Sequence, residues 1–388
     1  MPPPDIQARP HILIFVYSLS RGGAERMTVE LARAWAESGC KVTVLTAGPA
    51  ETDFFQLDAR IQRIRLTPLS TPEDGVVRRL VAALRRLFTL RRILRGLRPN
   101  VALGMMSTAA TLLAFSSIGL KIRTFGSERT YPPMLPLGLA KEKMRWLSYG
   151  LLTGVMGQTE QACRWLRANT LARRTWAIPN HIELPLPAHP PHIEPDGILS
   201  PGRRCILAVG RLSEEKQFQK QMDAFAILAE RFPEWDLVIV GDGPDREELA
   251  AHARLKGLEE RVHMPGAVGD IGVWYAKADI FVMTSRFEGF PNALLEAMAH
   301  GVPPIAFDCA TGPSEMIRDG ANGLLISMND QEGLVEGMKT LMKDDALRES
   351  MGQEAVLLRE QFSKARVMAL WFRAFGYDEG AKGELSLG

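Results

Sequence analysis

Residues 279–307 read DIFVMTSRFEGFPNALLEAMAHGVPPIAF and hold one complete strand–loop–helix–strand unit. DIFVMTS (279–285) is apolar until Thr284 and Ser285, residues 291–300 carry helical spacing, and PPIAF (303–307) is apolar again. Such a βαβ unit requires parallel strands in a sheet covered by helices. Gly289 permits an unusual backbone turn, and Pro291 suits the first position of a helix. The N–H groups of Asn292, Ala293 and Leu294 would then point back towards the strand end, a ready site for a phosphate. Glu288 lies on the exit loop and Glu296 about one turn into the helix. The two carboxylates can thus serve different hydroxyls of one extended ligand.

The same alternation runs both ways from this unit. After it, GLLIS (323–327) reads as a strand and three helical stretches close the chain. Before it, CILAVG (205–210) and DLVIVG (236–241) read as strands, with helices over 219–231 and 246–256. Seven prolines between Pro179 and Pro201 defeat both helix and sheet and predict a linker over 181–202. Residues 1–180 alternate in the same way. HILIFVY (11–17), KVTVLT (41–46), VALGM (101–105), TFGSE (124–128), GVMGQ (154–158) and TWAIP (175–179) are the strands, with helices over 24–37 and 76–97. The expectation is α/β: two Rossmann-like domains, 1–180 and 203–362, whose parallel sheets face each other across a cleft. The last helix, 363–376, is expected to pack back on the first domain. Val101–Leu120 carries no charge but includes serines and threonines, and reads as a buried strand and helix rather than a membrane span.

The chain has 388 residues, 46% of them hydrophobic and 24% charged, a globular balance that excludes wholesale disorder. Its formal charge of +2 conceals an asymmetry. Residues 1–190 hold 26 basic and 13 acidic side chains, and residues 191–388 hold 21 and 32. Cys40, Cys163, Cys205 and Cys309 lie far apart with no CxxC pair, which points to reduced thiols and to no zinc site.

LAVGRLSEEKQF (207–218) sets Arg211 after a buried strand and a glycine, with Lys216 five residues on. A guanidinium fork and a compact ammonium suit the two phosphates of a diphosphate. GDGPDREEL (241–249) looks like a phosphate loop but lacks the third glycine of GxGxxG and carries carboxylates, which argues against NAD. Gly22 and Gly23, before the helix at 24–37, let backbone N–H groups approach an anion or sugar closely. An isolated E-x7-E pair would be a loop glutamate and a solvated helix glutamate. Beside R-x4-K it reads as a ligand site.

RGGAER (21–26), IPN (178–180), VGRLSEEK (209–216), EGFPNALLEAMAHGVP (288–303) and DGANGLL (319–325) together resemble the retaining nucleotide-sugar glycosyltransferases of family 4, with the GT-B fold. FGSERTYPP (125–133) and DCATGPSE (308–315) are similar to bacterial enzymes building O-antigen, capsule or lipid-linked glycans, including N-acetylgalactosamine transferases. The resemblance implies that Arg211 and Lys216 hold the donor diphosphate, Glu296 the ribose and Glu288 the sugar hydroxyls. Backbone groups from Phe290 through Asn292 and Ala293 to Leu294, with Gly22 and Gly23, complete the cradle. Glu128 and Arg129 are expected near the sugar or acceptor. Many relatives carry a histidine after the strand that ends here at Met105; Met106 and Ser107 stand instead, so no histidine is assigned.

The implied reaction is metal-independent transfer with retention from a nucleotide sugar to a glycan acceptor, in which the leaving phosphate oxygen takes the acceptor proton. UDP-N-acetylgalactosamine, UDP-N-acetylglucosamine and UDP-galactose are the expected donors, and a polyprenyl-pyrophosphate-linked glycan the expected acceptor. RRLVAALRRLFTLRRILRGLRP (78–99) has eight arginines and no acid, with Leu80, Leu84, Leu87, Leu90 and Leu94 along one face. Arg78, Arg79, Arg85, Arg86, Arg91 and Arg92 would meet anionic lipid at the cytoplasmic leaflet. Phe88 is the single aromatic among these arginines, too few for a base-stacking platform, so nucleic acid is not expected. The alternatives are a GT-B-shaped UDP-sugar epimerase and a non-catalytic nucleotide-sugar-binding scaffold.

Overall fold

The computed structural model describes residues 9–20, 22–48, 53–66 and 76–377, with side chains from residue 81 in the last stretch. It divides into two compact units, one of residues up to 179 together with 367 onward, the other of residues 180–366.

The first unit is built on seven parallel strands: β1 (His11–Val16), β2 (Lys41–Thr46), β3 (Gln62–Arg65), β4 (Val101–Met105), β5 (Arg123–Ser127), β6 (Gly154–Gly157) and β7 (Thr175–Ala177). Their order is β3-β2-β1-β4-β5-β6-β7. Ile14 of β1 sits opposite Val44 of β2 and Leu103 of β4. Strands covered on both faces read as unbroken apolar runs, and β1 and β4 are buried at every position. The uncharged run from Val101 becomes β4 and the helix Met106–Ser116, buried through Ala109, Ala110, Leu113 and Ala114. Among the described residues no helix is long and apolar enough to cross a membrane.

The last helix, Lys364–Phe375, joins the first unit from Val367 on. The Trp371 ring meets Trp35 edge-on at 5.7 Å, and Phe375 lies 5.1 Å from Phe125. The arginine-rich helix spans Val76–Leu97. Leu90 and Leu94 are buried in the core, but Leu84 and Phe88 are exposed, so only the C-terminal half of its leucine face is packed. Arg91 is half-buried, and its Nη1 donates to the carbonyls of Ser116 at 3.0 Å and Ile118 at 2.6 Å, at the end of the neighbouring helix. Arg85 and Arg92 are exposed and Arg86 is half-buried. The side chains of Arg78, Arg79 and Leu80 lie outside the described residues.

The second unit holds six parallel strands: β8 (Arg204–Val209), β9 (Trp235–Val240), β10 (Val262–Gly266), β11 (Ile280–Met283), β12 (Pro304–Phe307) and β13 (Leu324–Ile326). Their order is β10-β9-β8-β11-β12-β13. The order reverses between β8 and β11, as it does between β1 and β4 in the first sheet. In such sheets the loops after the two strands at the reversal frame the ligand site.

The stretch 181–202 is no free linker. It belongs to the second unit, with Ile182, Leu186 and Leu199 buried in that unit's core. The His189 amide donates to the Gly269 carbonyl at 2.9 Å, and the Trp274 indole donates to the Ile193 carbonyl at 2.8 Å. Proline prevents regular structure there but does not prevent packing.

Candidate active site

The reversal in the second sheet puts the loop after β8 beside the loop after β11. The Arg286 amide donates to the Glu215 carbonyl at 2.7 Å, joining the two. Across the join, Lys216 Nζ lies 2.7 Å from Glu288 Oε1, and Ser285 Oγ donates to the same oxygen at 2.7 Å. Thr311, on the loop after β12, donates through its hydroxyl to the Glu288 carbonyl. Glu288 is therefore held at both its backbone and its carboxylate. Arg211 is exposed at the same strand end.

Lys216 is positioned from beneath. Thr284 Oγ1 donates to the carbonyls of Lys216 and Gln217 at 3.0 Å each, and Gln221 Nε2 donates to Thr284 Oγ1 at 3.0 Å. Gln217 occupies the left-handed region, φ 52°, so this buried bonding fixes a turn the residue would not favour alone.

The helix after β11 spans Asn292–Ala299 and is capped by Pro291, which stands one residue earlier than its expected first helical position. The Asn292 amide donates to the Phe290 carbonyl at 3.0 Å, so it is already engaged in the structure. Ala293 and Leu294 stand in the first turn, where an α-helix leaves N–H groups without an intrahelical acceptor. Glu296 is buried rather than solvated; Tyr275 donates to its Oε2 at 3.0 Å. Tyr275 in turn stacks on His300, with centroids 5.2 Å apart. Cys309 lies near Glu288, and burial together with the Glu288 charge pushes its thiol up to about 12.

The glycines of 241–249 have another use. Gly241 has φ 144°, and side chains at Gly241 and Gly243 would overlap the carbonyls of Gly210 and Leu212. Their absence lets this loop seat the Arg211 loop: the Leu212 amide donates to the Asp242 carbonyl at 3.1 Å and the Asp245 amide to the Leu212 carbonyl at 3.1 Å. The resemblance to a phosphate loop comes from backbone packing.

In the first unit, Gly22 caps the helix Gly23–Glu37 with an extended φ of −175°. The Glu25 carboxylate fills the space over Gly22, whereas nothing lies within 4 Å of where a Gly23 side chain would be. Gly23 thus faces open space at the start of the helix. Met106 adopts φ 67° directly after β4, so the strand end at which relatives carry histidine is a left-handed turn. Glu128 is enclosed, accepts from the Tyr149 hydroxyl and lies 3.8 Å from Arg145; burial raises its pKa, opposed by Tyr149 and Arg145. Arg129 is buried too, and desolvation lowers its guanidinium to about 10 against the pull of Glu30. Among the described residues no group of three or more His, Cys, Asp or Glu is arranged to hold a metal.

Ser285, Thr284, Gln221, Tyr275 and Thr311 were not singled out in the sequence. Thr284 and Ser285 end a recognised strand, which is a signal; Tyr275 and Thr311 become neighbours of the glutamates only through the fold.

Residues 193–357 match the family described as Glycosyl transferases group 1, and residues 22–181 the one described as Glycosyl transferase 4-like domain. The amylovoran biosynthesis glycosyltransferase AmsD of Erwinia amylovora is 25% identical over 369 residues, 93% of this chain and 98% of its own. A Campylobacter jejuni N-acetylgalactosaminyltransferase, named for an N-acetylgalactosamine-N,N'-diacetylbacillosaminyl-diphospho-undecaprenol substrate, is 32% identical over 164 residues, 42% of this chain and 44% of its own. The solved structure of Anabaena Alr3699/HepE in complex with UDP has a TM-score of 0.77 at 17% identity, over 94% of this chain and 99% of that one.

Proposed function

The chain belongs to the group 1 glycosyltransferases of the GT-B fold, and from that premise we propose that it transfers an N-acetylhexosamine or galactose from UDP to a polyprenyl-pyrophosphate-linked glycan with retention. The observation that carries this is the Lys216–Glu288 pair beside Arg211 at the strand reversal, with the helix N-terminus at Ala293 and Leu294 on the same loop. Its chemistry separates cleanly. Arg211, Lys216 and the helix N–H groups meet the diphosphate, Glu296 the ribose, and Glu288 the sugar.

Cleaving the anomeric bond builds positive charge on the sugar carbon and negative charge on the leaving phosphate. Fixed cations and backbone dipoles stabilise that phosphate more as its charge grows, which accelerates the reaction. The same groups supply the charge a metal would otherwise bring, so transfer proceeds without one. The leaving phosphate oxygen takes the acceptor proton on the face it departs from, giving retention. Two carboxylates on a single loop and helix do not flank a bond as a glycosidase pair does.

The acceptor reading draws on the excess of basic residues in the first 190 residues and on the exposed Arg85 and Arg92, which fit an anionic cytoplasmic leaflet. Incubation with UDP-sugars and a polyprenyl-pyrophosphate glycan tests the whole proposal. Acceptor-dependent release of UDP with an α-linked product, unaffected by a chelator, is expected. Turnover of the UDP-sugar without acceptor, to its epimer, would replace transfer by epimerisation.

A further inference from the structure

The helix Leu139–Tyr149 turns its polar side inward and its apolar side outward. Its buried residues are Arg145, Ser148 and Tyr149. Ser148 Oγ lies 3.1 Å from Thr111 Oγ1 on the helix Met106–Ser116, Arg145 stacks 4.8 Å over Trp165 and pairs with Glu142, and Tyr149 donates to Glu128. At 100° per residue, Leu139, Lys143 and Leu147 lie on the opposite side, and Leu151 follows just beyond the helix end. Leu139 is 85% exposed, Met144 50%, Trp146 48%, Leu147 46% and Leu151 44%. The preceding stretch, PPMLPLGLA (132–140), has no charge, and its Met134 and Leu135 are exposed as well. An apolar face of this extent on a folded domain marks an interaction site.

The charges around it name the partner. Residues 76–177 carry 18 basic side chains and 3 acidic ones. Of the three acids, Glu128 is enclosed and Glu142 is paired with Arg145. Lys141 and Lys143 are exposed on the helix itself. Arg173 and Arg174 are exposed next to Leu171, whose amide donates to the Trp146 carbonyl at 3.1 Å. Two copies meeting through this face would bring like charges together. A bilayer with anionic headgroups offers the opposite sign at the rim and an apolar interior at the centre.

We propose that the helix Leu139–Tyr149, with its leading segment from Met134, enters the interface of an anionic phospholipid bilayer. Leu139, Trp146 and Leu147 reach the acyl boundary while Lys141, Lys143 and Arg173 sit at phosphate level. The arginine-rich helix lies in the same layer, on the other side of Met106–Ser116: Leu90 and Leu94 pack with Ala109 and Leu113, while Ala110 and Ala114 pack with Tyr149. Its Leu84 and Phe88 are exposed as well. The inference rests on the lipid-borne acceptor reading only for its purpose, since the surface itself stands on exposure and charge.

The test is co-sedimentation of the full chain with vesicles of phosphatidylcholine alone or with 30% phosphatidylglycerol, at low salt, together with UDP binding and molar mass in solution. The double variant Leu139→Glu with Leu147→Glu should lose at least about tenfold in partition to the anionic vesicles, while melting and UDP binding stay as in the parent chain. Lys141→Gln with Lys143→Gln should weaken partition several-fold and flatten its salt dependence. Unchanged partition of the glutamate variant would overturn the proposal. So would a parent dimer that this variant splits without any vesicle binding, which would assign the face to a second copy. Failure of sugar transfer with vesicle binding intact would instead count against the transferase reading alone.

Discussion

Lys216 Nζ lies 2.7 Å from Glu288 Oε1, and this pair ties the loop after β8 to the loop after β11. Both groups are partly shielded from water and each neutralises the other until a ligand divides them. A diphosphate would draw Lys216 away and leave Glu288 to the sugar hydroxyls, with Ser285 still holding its oxygen.

The two members should therefore fail differently. Lys216→Ala removes a phosphate contact, and UDP binding should weaken at least about tenfold while transfer falls by about 10²–10³. Glu288→Gln keeps the shape and releases Lys216, so UDP should bind as well as before or better while transfer still collapses. Calorimetry with UDP and steady-state transfer rates separate the two. Equal loss of UDP affinity in both variants would sink the division of roles.

Tyr275 donates to Glu296 at 3.0 Å in the buried interior, which makes it a positioning residue for Glu296 in the ribose role proposed above. Tyr275→Phe removes that bond and little volume. A hydrogen bond to a charged group contributes about 1.5–3 kcal/mol, so UDP affinity should fall roughly tenfold with kcat little changed. The sharper readout is the preference for UDP over 2′-deoxy-UDP, which should narrow. A preference that stays at the parent value would show that Tyr275 does not act through Glu296 on the ribose.

Two glycines distinguish packing from ligand access. A methyl group at Gly243 meets the Leu212 carbonyl, so Gly243→Ala should cost about 1–3 kcal/mol of stability and displace the Arg211 loop. Gly23 faces open space in the first turn of its helix, where alanine is a better helix former by about 1 kcal/mol. Gly23→Ala should melt no lower than the parent and yet transfer poorly, because its methyl occupies the approach to the backbone. Thermal melting and transfer rates on the same preparations decide the matter. Full activity of Gly23→Ala would show that the Gly23 backbone does not meet the substrate.

The strands flanking each reversal were legible because they are buried on both faces and read as apolar runs, HILIFVY and CILAVG among them. β3 and β10 were not. They are edge strands, where QRIR keeps charges at a solvated margin and VHMPG tolerates a proline, so neither shows the apolar signal. At the candidate site, the meeting of Lys216 with Glu288 was foreshadowed because each follows a recognisable apolar strand, and Glu296 stands on the helix that the Glu288 loop leads into. Tyr275 and Thr311 were not, because what they contribute depends on distant segments meeting. The surroundings of Glu128 were not legible for the same reason: the fold brings Tyr149 and Arg145 to it from a later helix.

Asp236 is the centre of an ion cluster in the second unit. It is buried near the start of β9, bonded to the Arg203 guanidinium and to Arg261 Nε at 3.0 Å, with His263 Nε2 at 3.3 Å. Burial alone would raise its pKa, but Arg203, His263 and Arg261 outweigh it and hold the carboxyl below the ordinary range. A carboxyl that gives up its proton more readily when folded contributes stability above its unfolded pKa, near 4, and loses it as pH falls through the lower folded value. Asp236→Asn strands the Arg203 and Arg261 guanidinium groups and should cost about 3 kcal/mol at pH 7. Below about pH 4 the parent's advantage should begin to shrink. Urea melts of both proteins between pH 7 and pH 3 would show it; a gap that stays constant or widens in acid would mean that the ion cluster does not carry the effect.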